Sequence, residues 1–405
     1  MTQLNTPYPA TAYLTGFLRS RGHDVRQYDP AIELVCRLFS STGLKRVRAS
    51  LPRSTKMQPD SVQFFKSAFD DYARTVDSVV AFLQGRDPSL AVRLAARAYV
   101  PEGPRFLALD EEHLNWAFGA LGVQDRAKYI ASLYLDDLAD VLREGVDERF
   151  ALSRYGEKLA ASVPTFEPLE RALRGHVSLV DEILQEITAE LVDKHEPEVV
   201  GLTLPFPGNV YGGLRIAQSV RKLSPGTKII LGGGYVSTEL RTLTDAGIFD
   251  YADFITLDDG ERPFLNILEH LAGERNESEL LRTYVCRDGA VRLLSSPKEH
   301  DLPFKDSGIP TYDGLPMEKY LSVLEMLNPM HRLWSDARWN KATLAHGCYW
   351  KKCSFCDVNL DYIGRYDAAG ADLILERMQA VARETGQSGF HFVDEAAPPA
   401  VLKAL

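Results

Sequence analysis

The stretch "EVVGLTLPFPGNVYGGLRIAQSVRKLSPGTKIILGGG", residues 198–234, decides how the fold is read. It opens on a β-rich run, passes through a segment with helical character, and closes on a second β-rich run that ends in Gly232, Gly233 and Gly234. A short strand, a helix and another short strand make a βαβ unit, which requires a parallel sheet. "FDYADFITLDDGE", residues 249–261, supplies a third short run. "LRTYVCRDGAVRLL", residues 281–294, reads as a hairpin around Asp288-Gly289, a pair suited to a two-residue turn. A doubly wound α/β core is therefore expected over residues 197–273.

Upstream, "TAYLTGFLRSRGHDVRQYDPAIEL" reads as a helix, a stop at Gly22 and a strand "DVRQYDP" over residues 24–30. A further strand should precede this helix, and only Met1 to Leu4 stand before "NTPYPA". Residues 31–195 read as a helical insertion into the α/β domain. In "SVQFFKSAFDDYARTVDSVVAFLQG" the residues Val62, Phe65, Phe69, Tyr72, Val76, Val79 and Val80 form a helical stripe, which predicts core packing. "DRAKYIASLYLDDLADVLREG" and "LERALRGHVSLVDEILQEITAELVDKHEP" read the same way. The α/β domain with its insertion spans 1–296, a Pro-rich linker 297–340, and a third segment 341–405. That segment reads as strand 341–346, a cysteine loop, helix 369–385, strand 389–393 and a helix from Pro399.

The length of 405 residues suggests two or three domains. A net charge of −10 and the lack of a long Lys/Arg run argue against general nucleic-acid binding. No apolar run of membrane-spanning length occurs, and the start lacks the layout of a secretory signal. Five cysteines form a low, odd set, so a reducing cytoplasm is expected rather than a disulfide framework.

Three of those cysteines, Cys348, Cys353 and Cys356, lie together in "LAHGCYWKKCSFCDV", residues 344–358. Buried structural thiols fit a polar loop poorly. A closed zinc site needs four N/S ligands, and His346 is the only nearby fourth. A disulfide is disfavoured by the compartment. An iron–sulfur cluster uses soft thiolates in a close run, and three ligands leave one iron free.

A strand, then "GCYWKKCSFC", then a helix resembles the radical SAM superfamily, with Phe355 as the aromatic before the third cysteine. The first gap holds four residues, Tyr349 to Lys352, where the family usually has three. That enlarged gap with "CYW" is similar to a branch carrying an N-terminal cobalamin domain. The resemblance implies a 4Fe–4S cluster on Cys348, Cys353 and Cys356 and a free iron that chelates S-adenosylmethionine. Reduction then releases a 5′-deoxyadenosyl radical. It also implies SAM contacts by Phe355 and, at the end of "GFHFVDEAAPP", by Asp394 and Glu395. Helix capping is the plainer reading of those two acids.

Residues 197–273 resemble cobalamin-binding domains. That likeness rests on Thr203 after "VVG", on Gly232, Gly233 and Gly234, and on the 28 positions between Thr203 and Gly232. A hydroxyl at a strand end suits a hydrogen bond to the cofactor's base, and glycines admit a broad ring close to the backbone; the same glycines equally suit tight turns alone. "LDDGERP" adds Asp258, Gly260 and Glu261 as a wall of the groove. "YDPAIEL" has neither the His nor the Gly of the family's axial-ligand loop, so a lower face without a His ligand is implied.

The expected protein is α/β: a doubly wound parallel-sheet cobalamin-binding-like domain with a helical insertion, followed by the start of a partial (β/α) radical SAM barrel. The expected activity is cobalamin-dependent radical SAM chemistry, as a methyltransferase on an unactivated carbon. A reductase or flavodoxin-type electron donor is the expected partner. Only 49 residues follow Cys356, whereas about six βα units of roughly 30 residues make such a barrel. A fragment, a truncated frame or half of a split enzyme, with little turnover alone, is therefore expected. The alternative is a non-catalytic cobalamin- or nucleotide-binding module with a zinc- or partner-binding cysteine loop. A glycine-loop dehydrogenase is a weak match, because "GGGYVS" lacks the Gly-x-Gly-x-x-Gly layout.

Overall fold

The computed structural model describes residues 4–52, 58–119, 122–152, 165–324, 339–354, 356–394 and 396–405. It is a mixed α/β fold with a parallel-rich sheet and many helices. Strands β1 (Val199–Thr203), β2 (Lys228–Gly232) and β3 (Phe254–Thr256) are parallel, and β4 (Thr283–Arg287) and β5 (Ala290–Leu294) complete the sheet antiparallel, in the order β1-β2-β3-β4-β5. β2 is central, and its Ile229, Ile230 and Leu231 are buried on both faces, which a continuous apolar run allows. The Asp288–Gly289 turn has φ of 54° and 75°, as a two-residue hairpin demands. Thr203 pairs with Gly232, so these two candidate residues end adjacent strands side by side.

The strand expected over residues 24–30 is not formed: residues 23–29 run without strand pairing and the Pro30–Leu38 helix begins at Pro30. The physical reason is the lack of an adjacent edge. Leu204 N–H donates to Gly232 O and Lys228 N–H to Glu198 O, so even-numbered residues of β1 face β2 and odd-numbered ones face outward. Among the described residues no backbone hydrogen bond reaches that outer edge at Val199, Gly201 and Thr203. A cavity of about 1080 Å³ separates it from residues 23–28. Segment 23–28 is held from other directions: Arg19 donates to Val25 O, and the Gln27 amide donates to Thr311 O and Asp313 O. The helix before it, Pro9–Ser20, does end as expected, with Gly22 at φ 89°.

The helical region packs as a single core. Val62, Phe65, Phe69, Tyr72, Val76, Val79 and Val80 are all buried, although the chain breaks at Ala68 into helices Asp60–Ser67 and Phe69–Leu83. The "LERALRG…" stretch likewise divides into Glu167–Arg174 and Leu179–His195, the second opened by a reciprocal Ser178–Asp181 capping box. Asp181 fastens this region to the Pro207–Leu223 helix. It is fully buried, accepts from Tyr211 Oη at 3.0 Å, and pairs with Arg215 at 3.2 Å and Arg149 at 3.4 Å. Arg215 also donates to Leu173 O at 2.8 Å, and Arg149 pairs with Asp147 at 2.7 Å. Two acids and two arginines thus neutralise one another inside the protein.

Strands β6 (Asn340–Ala342) and β9 (Phe390–Phe392) are parallel, and the crossover between them carries the cysteine loop, the β7 (Ala345–His346)–β8 (Asp367–Ala368) pair and the Ala371–Thr385 helix. The Pro-rich connector is packed rather than loose. Phe304, Tyr312 and Tyr320 are buried; Arg377 donates to Phe304 O and Ser307 Oγ. Tyr13 Oη accepts Thr343 N–H, and Tyr312 Oη donates to Lys341 O, which ties the first helix and the connector to β6. Among the described residues no helix is long and apolar enough to cross a membrane.

Removing Arg215 leaves Asp181 short of a cation in a dry site. Arg215→Met is expected to lower unfolding stability by about 3–5 kcal/mol, read by urea denaturation with circular dichroism. Arg171→Met, which breaks only the exposed pair with Glu167, leaves the midpoint in place.

Candidate functional site

The cysteine loop is closed at its base by backbone geometry. Gly347 has φ 71°, and a Cβ there would stand 1.5 Å from Arg365 O, so only glycine fits. Cys348 N–H donates to Ile363 O at 3.1 Å, which brings the two ends of the loop together. The strand entering the loop is set by Asp394, whose carboxylate accepts Leu344 N–H at 2.9 Å and Ala345 N–H at 2.8 Å. Asp394 at the end of β9 therefore grips the chain just ahead of the thiols.

Cys348 is buried, and Cys353 and Cys356 are partly exposed. Among the described residues no three His, Cys, Asp or Glu side chains converge tightly enough to hold a single metal ion. Lys351, in the enlarged gap, adopts φ 53°, and Tyr349 and Trp350 are exposed beside it. Phe355 and Glu395 lie outside the described residues.

At the C-terminal end of the sheet, Thr203 Oγ1 is buried and has no hydrogen-bond partner among the described residues. Gly233, at φ 106°, turns so closely on Leu204 that a Cβ would lie 2.8 Å from Leu204 N, and a Cβ on Gly234 would lie 2.8 Å from Pro205 O. These two glycines are required by the turn itself. Gly232 is less confined, with Thr256 Oγ1 3.0 Å from an added Cβ.

The loop after β3 is strongly charged. Asp258 adopts φ 66°, donates its N–H to Ser237 Oγ, and is paired by Arg241 and by Arg282 at 3.3 Å. Burial pushes the Asp258 carboxyl above its usual range despite those arginines. Burial acts the same way on Asp259, but His346, Arg365 and Arg282 outweigh it and hold that carboxyl below the usual range. His346 Nδ1 stands 3.3 Å from Asp259 Oδ2. Burial lowers the imidazole's proton affinity, and the Asp259 and Glu261 charges more than restore it. Glu261 is buried, and burial raises its pKa against the lowering by the nearby His346 charge.

Thr203, Gly232, Gly233, Asp258, Gly260 and Glu261 line the same cavity of about 1080 Å³, together with Asp259, His346, Gly347 and Tyr362. Gly234, Asp394 and the three thiols are not on its wall, although Gly347, next to Cys348, is. The cavity exceeds the size of ordinary small-ligand pockets. Sequence reasoning passed over Asp259, Arg282, Asp301 and Arg365. The one local signal was the doubled acid in "LDDGERP"; the partners lie far along the chain.

No family model matches the chain, and no curated protein matches it. Its structural neighbours are cobalamin-dependent radical SAM enzymes. The radical enzyme OxsB, solved with aqua-cobalamin and S-adenosylmethionine, is 15% identical with a TM-score of 0.40, over 55% of this chain and 29% of OxsB. The radical S-adenosylmethionine methyltransferase TsrM from Kitasatospora setae, solved with tryptophan and a SAM analogue, is 15% identical with a TM-score of 0.36, over 52% of this chain and 39% of TsrM. The chain therefore spans well under half the length of either enzyme it resembles.

Proposed function

We propose that this chain carries the cofactor-binding part of a cobalamin-dependent radical SAM methyltransferase acting on an unactivated carbon. The observation that carries the reading is that the base of a three-thiol loop and the end of a parallel sheet wall one large cavity, with the orphaned Thr203 hydroxyl buried at the sheet end. The residues suit the groups. Three thiols on one loop closed at its base are soft donors for iron. An unpartnered hydroxyl and a buried carboxylic acid, Glu261, suit a ligand rich in amides and a heterocyclic base.

When bound, a 4Fe–4S cluster with S-adenosylmethionine supplies an organic radical, and cobalamin supplies a methyl carrier. The chain's own work is placement. Cys348, Cys353 and Cys356 would hold the cluster, and Thr203 would offer its hydroxyl to the nucleotide base of the cobalamin. Gly232, Gly233, Asp258 and Gly260 shape the wall, Gly234 holds the turn behind it, and Glu261, its pKa raised by burial, presents a carboxyl there. Asp394 aims the loop through Leu344 and Ala345. Phe355, Asp394 and Glu395 are assigned to SAM. An electron donor of the reductase or flavodoxin type completes the system.

Anaerobic reconstitution of the chain is expected to yield about four iron and sulfide per chain, with both falling to background when any of the three cysteines becomes alanine. One zinc and no sulfide would sink the cluster reading. Thr203→Val is expected to weaken hydroxocobalamin binding about 2–10-fold, the worth of one hydrogen bond, as measured by calorimetry; an unchanged affinity removes Thr203 from the site.

A further inference from the structure

The loop after β3 and the cysteine loop are joined by one side chain. Arg365, at the exit of the cysteine loop, pairs with Asp259 and, at 2.6 Å, with Asp301. Its carbonyl is the oxygen against which Gly347 packs, so its backbone and side chain act at the two boundaries at once. On the sheet side, Arg282 donates to Asp301 at 2.8 Å and to Leu257 O at 3.3 Å, and pairs with Asp258, which Arg241 also holds. On the loop side, His346 stands against the same Asp259 oxygen that Arg365 engages.

We infer that Arg365 is a positioning residue that couples occupancy of the two sites, so that filling the cysteine loop tightens ligand binding at the end of the sheet, and the reverse. This rests on the function proposed above. The physical ground is the geometry of the shared acids. Asp259 belongs to the cavity wall, and its main cationic partners, Arg365 and His346, belong to the base of the thiol loop. A cluster that fixes Cys348 and Cys356 restricts the exit at Arg365. A corrin against residues 258–261 restricts Asp259. Each ordering therefore prepays part of the ordering needed for the other. Arg365 is suited to the task because a guanidinium forks between two carboxylates, which a lysine cannot reproduce. Arg365 is not among the residues that line the cavity and works through Asp259, Asp301 and Gly347.

The test measures the hydroxocobalamin Kd twice, on chain reconstituted with iron and sulfide and on apo chain. The quantity read is the ratio of the two. A purely structural role shifts both constants and leaves the ratio alone. The native chain is expected to bind at least about fivefold more tightly when the cluster is present. In Arg365→Gln the ratio should fall to near one, while iron uptake and cobalamin binding each persist. Arg365→Lys should give an intermediate ratio, and it carries the comparison if Arg365→Gln loses its thermal unfolding transition. A native ratio near one, or an Arg365→Gln ratio equal to the native one, overturns the inference with the proposed function intact. A native chain that takes up no iron and sulfide, or no hydroxocobalamin, overturns the proposed function itself.

Discussion

Asp259 is the point on which the candidate site turns. Its carboxylate is largely withdrawn from water, which by itself would favour the neutral acid, yet His346 and Arg365 keep it ionised. A charge in that position is stable only while its partners stay in place. The loop after β3, the connector at Asp301 and the base of the cysteine loop are therefore held in one arrangement by electrostatics as well as by packing. Hydrophobic contact alone is thin here: Tyr13, Phe304, Leu344, Ala369 and Ile374 form a small core between the first helix, the connector and the C-terminal segment.

A second buried charge group performs the corresponding task for the helical region. Asp147, Arg149, Asp181 and Arg215 fasten the Leu179–His195 helix against Pro207–Leu223, and so set the sheet against the large apolar core. β1 presents an outer edge without backbone pairing among the described residues, and Val199, Gly201 and Thr203 face open volume there. The sheet is thus firmest at β2 and most open where the candidate ligands would approach.

Much of the local structure was legible. The β-rich runs at 198–206, 228–234 and 249–261 contain the parallel strands Val199–Thr203, Lys228–Gly232 and Phe254–Thr256, and Asp288-Gly289 became the hairpin turn. The stripe from Val62 to Val80 was buried as its spacing required. Failures came where a neighbour had to decide. "DVRQYDP" has strand composition, but a strand exists only if an adjacent edge accepts its hydrogen bonds, and here the nearest edge lies across a cavity. The helix over 61–85 broke at Ala68, whose φ of −102° no helical stripe foretells. Gly233 and Gly234 are a different case: room for a ligand and a tight turn were both open readings, and a Cβ at either would strike Leu204 or Pro205, so the turn needs glycine there whatever binds.

The sequence by itself determined the chemistry on offer: three thiols in one loop, a hydroxyl at a strand end, and a doubled acid after the third strand. It did so because ligand spacing and strand period are local properties, carried by a few neighbouring residues. Only the tertiary structure decided that the base of the thiol loop, at His346 and Gly347, shares one wall with the hydroxyl and the acids, that Thr203 Oγ1 is left unpartnered among the described residues, and that Asp259 meets Arg365 across 106 positions of chain. Charge pairing at that separation depends on where the backbone has already gone, and no local pattern encodes it.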